Sequence, residues 1–497
     1  MDFFLMFQND FQSMFLESYL CVALMILLVY GVIYSTSSKY SYPVLIKSVA
    51  WMCALSMVYG LFILFNTPTE SKSILNSLAI HDDIAQFGKG IVLFSSISCL
   101  LISMRYFSSD RINFFEYGIL ILLATVGMLT IISSYDIMTM YLAIEFQSLC
   151  LYVLAAFKRN SLLSAEAGLK YFILGAFSSG ILLFGMSMIY GFTGHTGFEE
   201  IGSVLNSHIE NSIVSSGVIL GIIFIGAGLL FKVYAVPFHV WVPDVYEGSP
   251  TAVTSFFAIV PSISVLILLM RLYHSVFFDY ISYWQPIFVA CSVLSMLVGS
   301  FGALGQQKIK RLIAYSAIGH VGFVLVAFAT GTPEGLSSIL IYSIIYIIMN
   351  LNFFSVLLSL RKQDDGQEVE FLEDLSGLYR KNAGLAASLG VVFFSMAGIP
   401  PLAGFFSKLY VFLSAIHVSL YFPVMVGIVA SVVSAVYYLR VIRIIYFKQP
   451  VSWYSFEVVD KVKAFYISVT MFILMFFFIY SSPILILVHK IGILMSL

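Results

Sequence analysis

The feature that most constrains this chain is a succession of apolar runs that fills it almost end to end. A helix needs roughly 20 predominantly apolar residues to cross a bilayer, and about fourteen such runs can be placed. They fall at 15–34, 44–65, 89–104, 114–133, 136–157, 167–191, 213–236, 251–273, 284–304, 311–330, 336–360, 384–416, 421–447 and 464–488. The fold expected is an all-α polytopic membrane protein, because backbone polar groups in lipid must be satisfied within the spanning segment. A transmembrane barrel would show short strands of alternating polarity, a pattern this sequence lacks. Charge agrees: 10% of residues are charged and mean hydropathy is +0.98, against roughly 25% charge in soluble domains.

The distribution of cations orients the runs. With the N-terminus outside, the inner connections hold 19 of the 25 Lys and Arg, and the outer ones only Lys72, Lys89, Arg271 and Lys490. That asymmetry satisfies the positive-inside rule. A net charge of -1 without a basic patch gives no case for nucleic acid. The five cysteines are widely separated and support neither a zinc site nor an iron–sulfur cluster. The opening MDFFLMFQND has neither a signal-peptide nor a transit-peptide pattern. The polar segment 361–383 carries ten charged residues and is expected on the inner surface, against a partner.

Two cations remain, Lys232 and Lys408, and both stand inside apolar runs. A charge at the bilayer centre costs ~2.5–3.5 kcal/mol on insertion scales, so such residues usually face a protein interior and handle ions or protons. Each lies beside a helix breaker: Lys232 precedes Pro237, and Lys408 follows Pro400 and Pro401. Broken helices near the midplane are where transporters meet their ion. The competing readings are a snorkelling Lys232 and a Lys408 tied structurally to carbonyls freed by the break. The two lysines are five runs apart. If runs 4–8 and 9–13 form two five-helix units, the odd number makes them inverted repeats. The domain reading is then an N-terminal three-helix segment 1–113, repeats over 114–273 and 284–447, and a C-terminal helix within 448–497.

Glu145 is the central acid of the fifth run. Paired with Lys232 it would stay ionised, and separating the pair would let the lysine release a proton; a static ion pair is the alternative. Lys170 lies near the inner end of the sixth run, as an entry residue or an anchor. His239 follows the first break. His320 sits inside the tenth run, where an imidazole suits proton relay. The glycine-rich stretches 191–197 and 299–305 follow no strand and read as turns or helix packing.

Several strings carry a family resemblance: AVPFHVWVPDVYEGSPT (235–251), SMAGIPPLAGFFSKLYVF (395–412), YLAIEFQSLCLYVLAA (141–156), EAGLKYFILGAFSSGILLFGMSMIYG (166–191) and RLIAYSAIGHVGF (311–323). Together they resemble the chain 2, or chain-N, family of antiporter-like membrane subunits of respiratory complex I, over essentially the whole chain. The resemblance implies a fourteen-helix fold with two inverted repeats and a proton path at mid-membrane. It matches Glu145, Lys170, Lys232, His320 and Lys408 to the family's relay positions. It also implies that NADH, FMN, iron–sulfur clusters and ubiquinone lie on partner subunits, none in this chain, and that adjacent antiporter-like subunits flank it. One position departs: where the family commonly has a lysine in the eighth run, AIVPSISVL places Ser262, which cannot carry a positive charge. The rival functions are a sodium/proton antiporter component and a structural subunit that no longer conducts, the latter favoured by Ser262. The absence of an import signal, with abundant Phe, Tyr and Ile, suits the mitochondrial inner membrane, with a bacterial inner membrane as the alternative.

Overall fold

The computed structural model describes residues 10–35, 43–68, 72–109, 115–207, 212–361, 368–449 and 459–496. In chain order the main helices are α1 (Phe15–Ser35), α2 (Pro43–Asn66), α3 (Asp83–Ser109), α4 (Glu116–Ser133), α5 (Ile137–Ala155), α6 (Leu162–Thr193), α7 (Phe198–Ser207) and α8 (Ser212–Lys232). They continue as α9 (Trp241–Gly248), α10 (Thr251–Ile259), α11 (Pro261–Arg271), α12 (Ile281–Leu304), α13 (Ile309–Phe328) and α14 (Pro333–Leu357). The last are α15 (Ala383–Ala397), α16 (Ala403–His417), α17 (Tyr421–Phe447), α18 (Lys461–Phe476) and α19 (Ser482–Ser496). A small hairpin, β1 (Lys72–Ile74) with β2 (Ala79–His81), pairs antiparallel between α2 and α3.

Among the described residues eleven helices are long and apolar enough to cross a membrane, and three shorter apolar ones cover Ser216–Lys232, Ala383–Ala397 and Ser482–Leu494. The shorter ones arise where the sequence interrupts an apolar run. The run 213–236 ends its helix at Lys232, five residues before Pro237. The run 251–273 divides at Pro261, which opens α11, because proline donates no N–H and fits the first turn of a new helix. The run 384–416 is two helices, α15 and α16, parted by the Gly398–Leu402 stretch. The run 464–488 is likewise two, α18 and α19, the second beginning one residue before Pro483. Helix starts are satisfied locally: Asp136 accepts hydrogen bonds from the Met138 and Thr139 amides at 2.7 and 3.3 Å, and Asn382 accepts one from Leu385 at 3.2 Å.

The residues form two compact units, Met1–Leu229 with Val260–Asp279, and Leu230–Ile259 with Tyr280–Leu497. The first contains α1–α7, most of α8, and α11. In the second, α14 is an enclosed helix, with 21 of its 25 residues buried, packed by α13, α15, α16, α18 and α19. Helices α12 and α13 meet backbone to backbone: a Cβ on Gly299 would fall 2.5 Å from the Gly319 nitrogen. Gly299, and Gly302 against the Tyr315 ring, therefore serve helix packing, while Gly305 beyond the end of α12 has open space around it. Helix α18 is fixed by polar contacts, with Asn352 donating to Thr470 Oγ1 at 3.0 Å. The buried Lys463 donates to the Leu358 carbonyl at 2.7 Å, at the C-terminal end of α14.

Candidate functional site

The break between α15 and α16 places Lys408. Gly398 closes α15 in the left-handed region, φ 87°, and its amide and that of Ile399 both return to the Phe394 carbonyl at 3.1 Å, a common way to end a helix. The chain then turns through Pro400 and Pro401 and re-enters the bundle as α16. From there Lys408 reaches back, and its Nζ donates to the Met396 and Ala397 carbonyls at 3.0 Å each. Those are terminal carbonyls that α15 cannot satisfy itself, at the negative end of its dipole. The ammonium is buried, 6% exposed, and lies 5.1 Å from the Phe323 ring centre. The lysine thus makes the ties to freed carbonyls that a structural role asks for. It also lines a small internal cavity with His320, Ser300, Ser316, Ser434 and Tyr438.

His320, on α13, is held from both sides. Its Nδ1 lies 2.6 Å from the Tyr342 hydroxyl and its Nε2 3.3 Å from that of Tyr438; Tyr438 is in turn hydrogen-bonded to Ser316. A neutral imidazole has one donor and one acceptor nitrogen, so with a hydroxyl on each it can take a proton on one side and release one on the other. The structure brings His320 and Lys408 together, within electrostatic reach across that cavity.

Lys232 belongs to the same unit and ends α8. Beyond it Ala235 donates to Leu230 at 3.0 Å, and Tyr234 takes a positive φ of 54°, a conformation rare for a bulky side chain. The backbone groups freed by the break find side-chain partners. The Val236 amide donates to Ser295 Oγ at 2.9 Å and Trp241 Nε1 donates to the Phe231 carbonyl at 3.2 Å. Lys232 is half-buried. His239 is half-buried in the turn that follows, and burial lowers its pKa against a partly compensating hydrogen bond at Pro237.

After the turn α9 presents an ionic cluster that the sequence did not single out as a site. Asp244 and Glu247 bind Arg311 at 3.0 and 3.3 Å, Lys308 pairs with Glu247, and Lys310 donates to the Ser249 carbonyl at 3.0 Å. Thr251 is hydrogen-bonded to Glu368. The signal available was three basic residues opening one helix and two acids in the VPDVYEG stretch, without any indication that they meet.

The other expected residues lie in the first unit. Glu145 is half-buried on α5, and its Oε1 has no hydrogen-bond partner among the described residues. Lys170 is paired with Glu166 at 2.8 Å, one turn away and partly exposed. Ser262 is buried on α11 directly after Pro261; its neighbour Ser264 lies 3.5 Å from the Gln147 side chain on α5. Two cations expected as outer-loop charges are buried instead: Lys89 donates to Glu17 at 2.5 Å, and Arg271 to Asp82 at 2.9 Å. The five cysteines are free thiols, and no group of three metal-ligating side chains occurs among the described residues.

Residues 134–434 match the family described as NADH:quinone oxidoreductase/Mrp antiporter, TM. The chain is 46% identical to NADH-ubiquinone oxidoreductase chain 2 of Marchantia polymorpha, over 99% of this chain and 100% of that one. It is 42% identical to NADH-quinone oxidoreductase subunit N of Pelagibacter ubique, over 96% and 98%. Its fold is similar to a chain of respiratory complex I from Thermus thermophilus, with a TM-score of 0.78 at 27% identity, covering 95% of this chain and 98% of that chain.

Proposed function

The chain belongs to the NADH:quinone oxidoreductase/Mrp antiporter family, in its chain 2 or subunit N branch, and from that membership we propose which of its side chains move protons. It is a multi-pass inner-membrane subunit of the proton-translocating NADH:ubiquinone oxidoreductase of mitochondria. Its own task is proton translocation. NADH, FMN, the iron–sulfur clusters and ubiquinone are bound by partner subunits, and neighbouring antiporter-like subunits of the membrane arm flank it.

Lys408, His320 and Lys232 in the second unit, with Glu145 and Lys170 in the first, form the relay. The observation that carries this reading is that Lys408 and His320, both buried, line one small cavity. An ammonium held by two neutral carbonyls leaves no bare counter-charge behind when its proton departs, so it can load and unload. The two broken helices, each bearing a lysine next to its break, support two inverted repeats with equivalent sites. Lys170, tied to Glu166 at partial exposure, is the entry residue. Moving one charge against ~100 mV costs ~2.3 kcal/mol, so the stroke is driven from the neighbouring subunits.

Replacing Lys232 by alanine in the assembled complex tests the relay. Proton translocation per NADH oxidised is expected to fall while the complex still assembles. An assembled complex with unchanged stoichiometry would remove Lys232 from the path.

A further inference from the structure

Helix α14 is largely enclosed within the second unit, with 21 of its 25 residues buried, yet one of its faces is polar. Tyr342, Tyr346 and Asn350 recur at four-residue spacing, all buried, which puts them one above another on a single stripe. Burying a polar group costs ~1–3 kcal/mol unless it is hydrogen-bonded, so a helix needed only for packing would carry Phe or Leu there. The upper end of the stripe is Tyr342, 2.6 Å from His320 Nδ1. Tyr346 sits against the same imidazole, 5.2 Å between ring centres. Tyr234, two residues beyond Lys232 at the break of α8, is buried in the same unit. On the far side His320 Nε2 faces Tyr438, which is hydrogen-bonded to Ser316 and lines the Lys408 cavity.

We propose that these tyrosines are the proton link between Lys232 and Lys408, running through Tyr234, Tyr346 and Tyr342 to His320 and on through Tyr438. The inference rests on the reading that the two lysines carry protons. It explains how the chain does without a lysine at Ser262. Lys232, the tyrosines, His320 and Lys408 all belong to the second unit, whereas Ser262 belongs to the first.

The transfer balances at each step. A phenol is both donor and acceptor, so every hydroxyl takes one proton on its oxygen and gives up its own, without ever standing as phenolate. His320 gains a proton on Nδ1 and loses one from Nε2, ending as the other tautomer. Lys232 starts as the ammonium and ends as the neutral amine; Lys408, having first released its own proton, starts as the neutral amine and ends as the ammonium. Water serves as the bridging group where two hydroxyls stand farther apart than a hydrogen bond. Rotation of the hydroxyls and the imidazole restores the starting tautomer before the next proton.

The test is Tyr342→Phe in the assembled complex, a change that removes one oxygen and keeps the ring. Proton translocation is expected to slow by about a hundredfold or more, the scale of losing a positioned acid–base group. The residual rate should also slow more in deuterated water than the parent's does. Tyr438→Phe, on the other nitrogen of His320, should do the same and is decisive if Tyr342→Phe does not assemble. Lys408→Ala is measured alongside. Loss in Lys408→Ala with parental rates in the assembled tyrosine variants overturns the tyrosine link alone. Parental rates in all three overturn the reading beneath it.

Discussion

Lys408 and Lys89 are both buried lysines, and their donors are satisfied by different means. Lys408 is met by two backbone carbonyls, Lys89 by the carboxylate of Glu17 at 2.5 Å. The first arrangement leaves the proton movable; the second is a staple between α1 and α3. Removing one partner of a buried pair costs ~3–5 kcal/mol, whereas replacing both with apolar residues is often neutral. Glu17→Gln should therefore lower the thermal resistance of the complex, measured as the fraction still assembled after heating, and Glu17→Leu with Lys89→Met should restore most of it. A Glu17→Gln protein as robust as its parent would contradict the staple. The sequence made Lys232 and Lys408 conspicuous because charge in an apolar run is costly whatever surrounds it. It concealed Lys89, which stands at the edge of a run and reads as a loop cation until Glu17, 72 residues away, is seen beside it. The tyrosines around His320 were concealed for the same reason: their partners lie 22 and 118 residues off in the chain.

Among the elements, the broken helices hold the two lysines proposed to carry protons, and the breaks were legible from their prolines. What the breaks do with their freed backbone groups was not, since that depends on Ser295, Trp241 and Lys408 arriving from elsewhere. Gly398 is the joint that abuts Lys408. It holds a φ of 87°, and a Cβ added there would lie 3.1 and 3.2 Å from Lys408 Cδ and Nζ. The left-handed region costs an L-residue ~1–2 kcal/mol, and the added methyl presses on the ammonium. Gly398→Ala is expected to assemble and to translocate protons more slowly, read as proton uptake per NADH oxidised in proteoliposomes. Parental translocation would show that the joint does not set the lysine's position.

For the whole molecule, hydropathy and the asymmetry of cations point to a polytopic helical bundle, and the structure agrees while dividing several of the runs. The grouping of Leu230–Ile259 with Tyr280–Leu497 was beyond sequence periodicity, because it depends on tertiary contacts rather than on order along the chain. Its consequence is that Lys232, His320 and Lys408 share one unit, and the proposed relay between them falls within it. If protons pass by way of Lys408, the proton-to-electron ratio of the assembled complex carrying Lys408→Ala falls below that of the parent, with assembly intact. An assembled Lys408→Ala complex pumping at the parental ratio would take Lys408 out of the path.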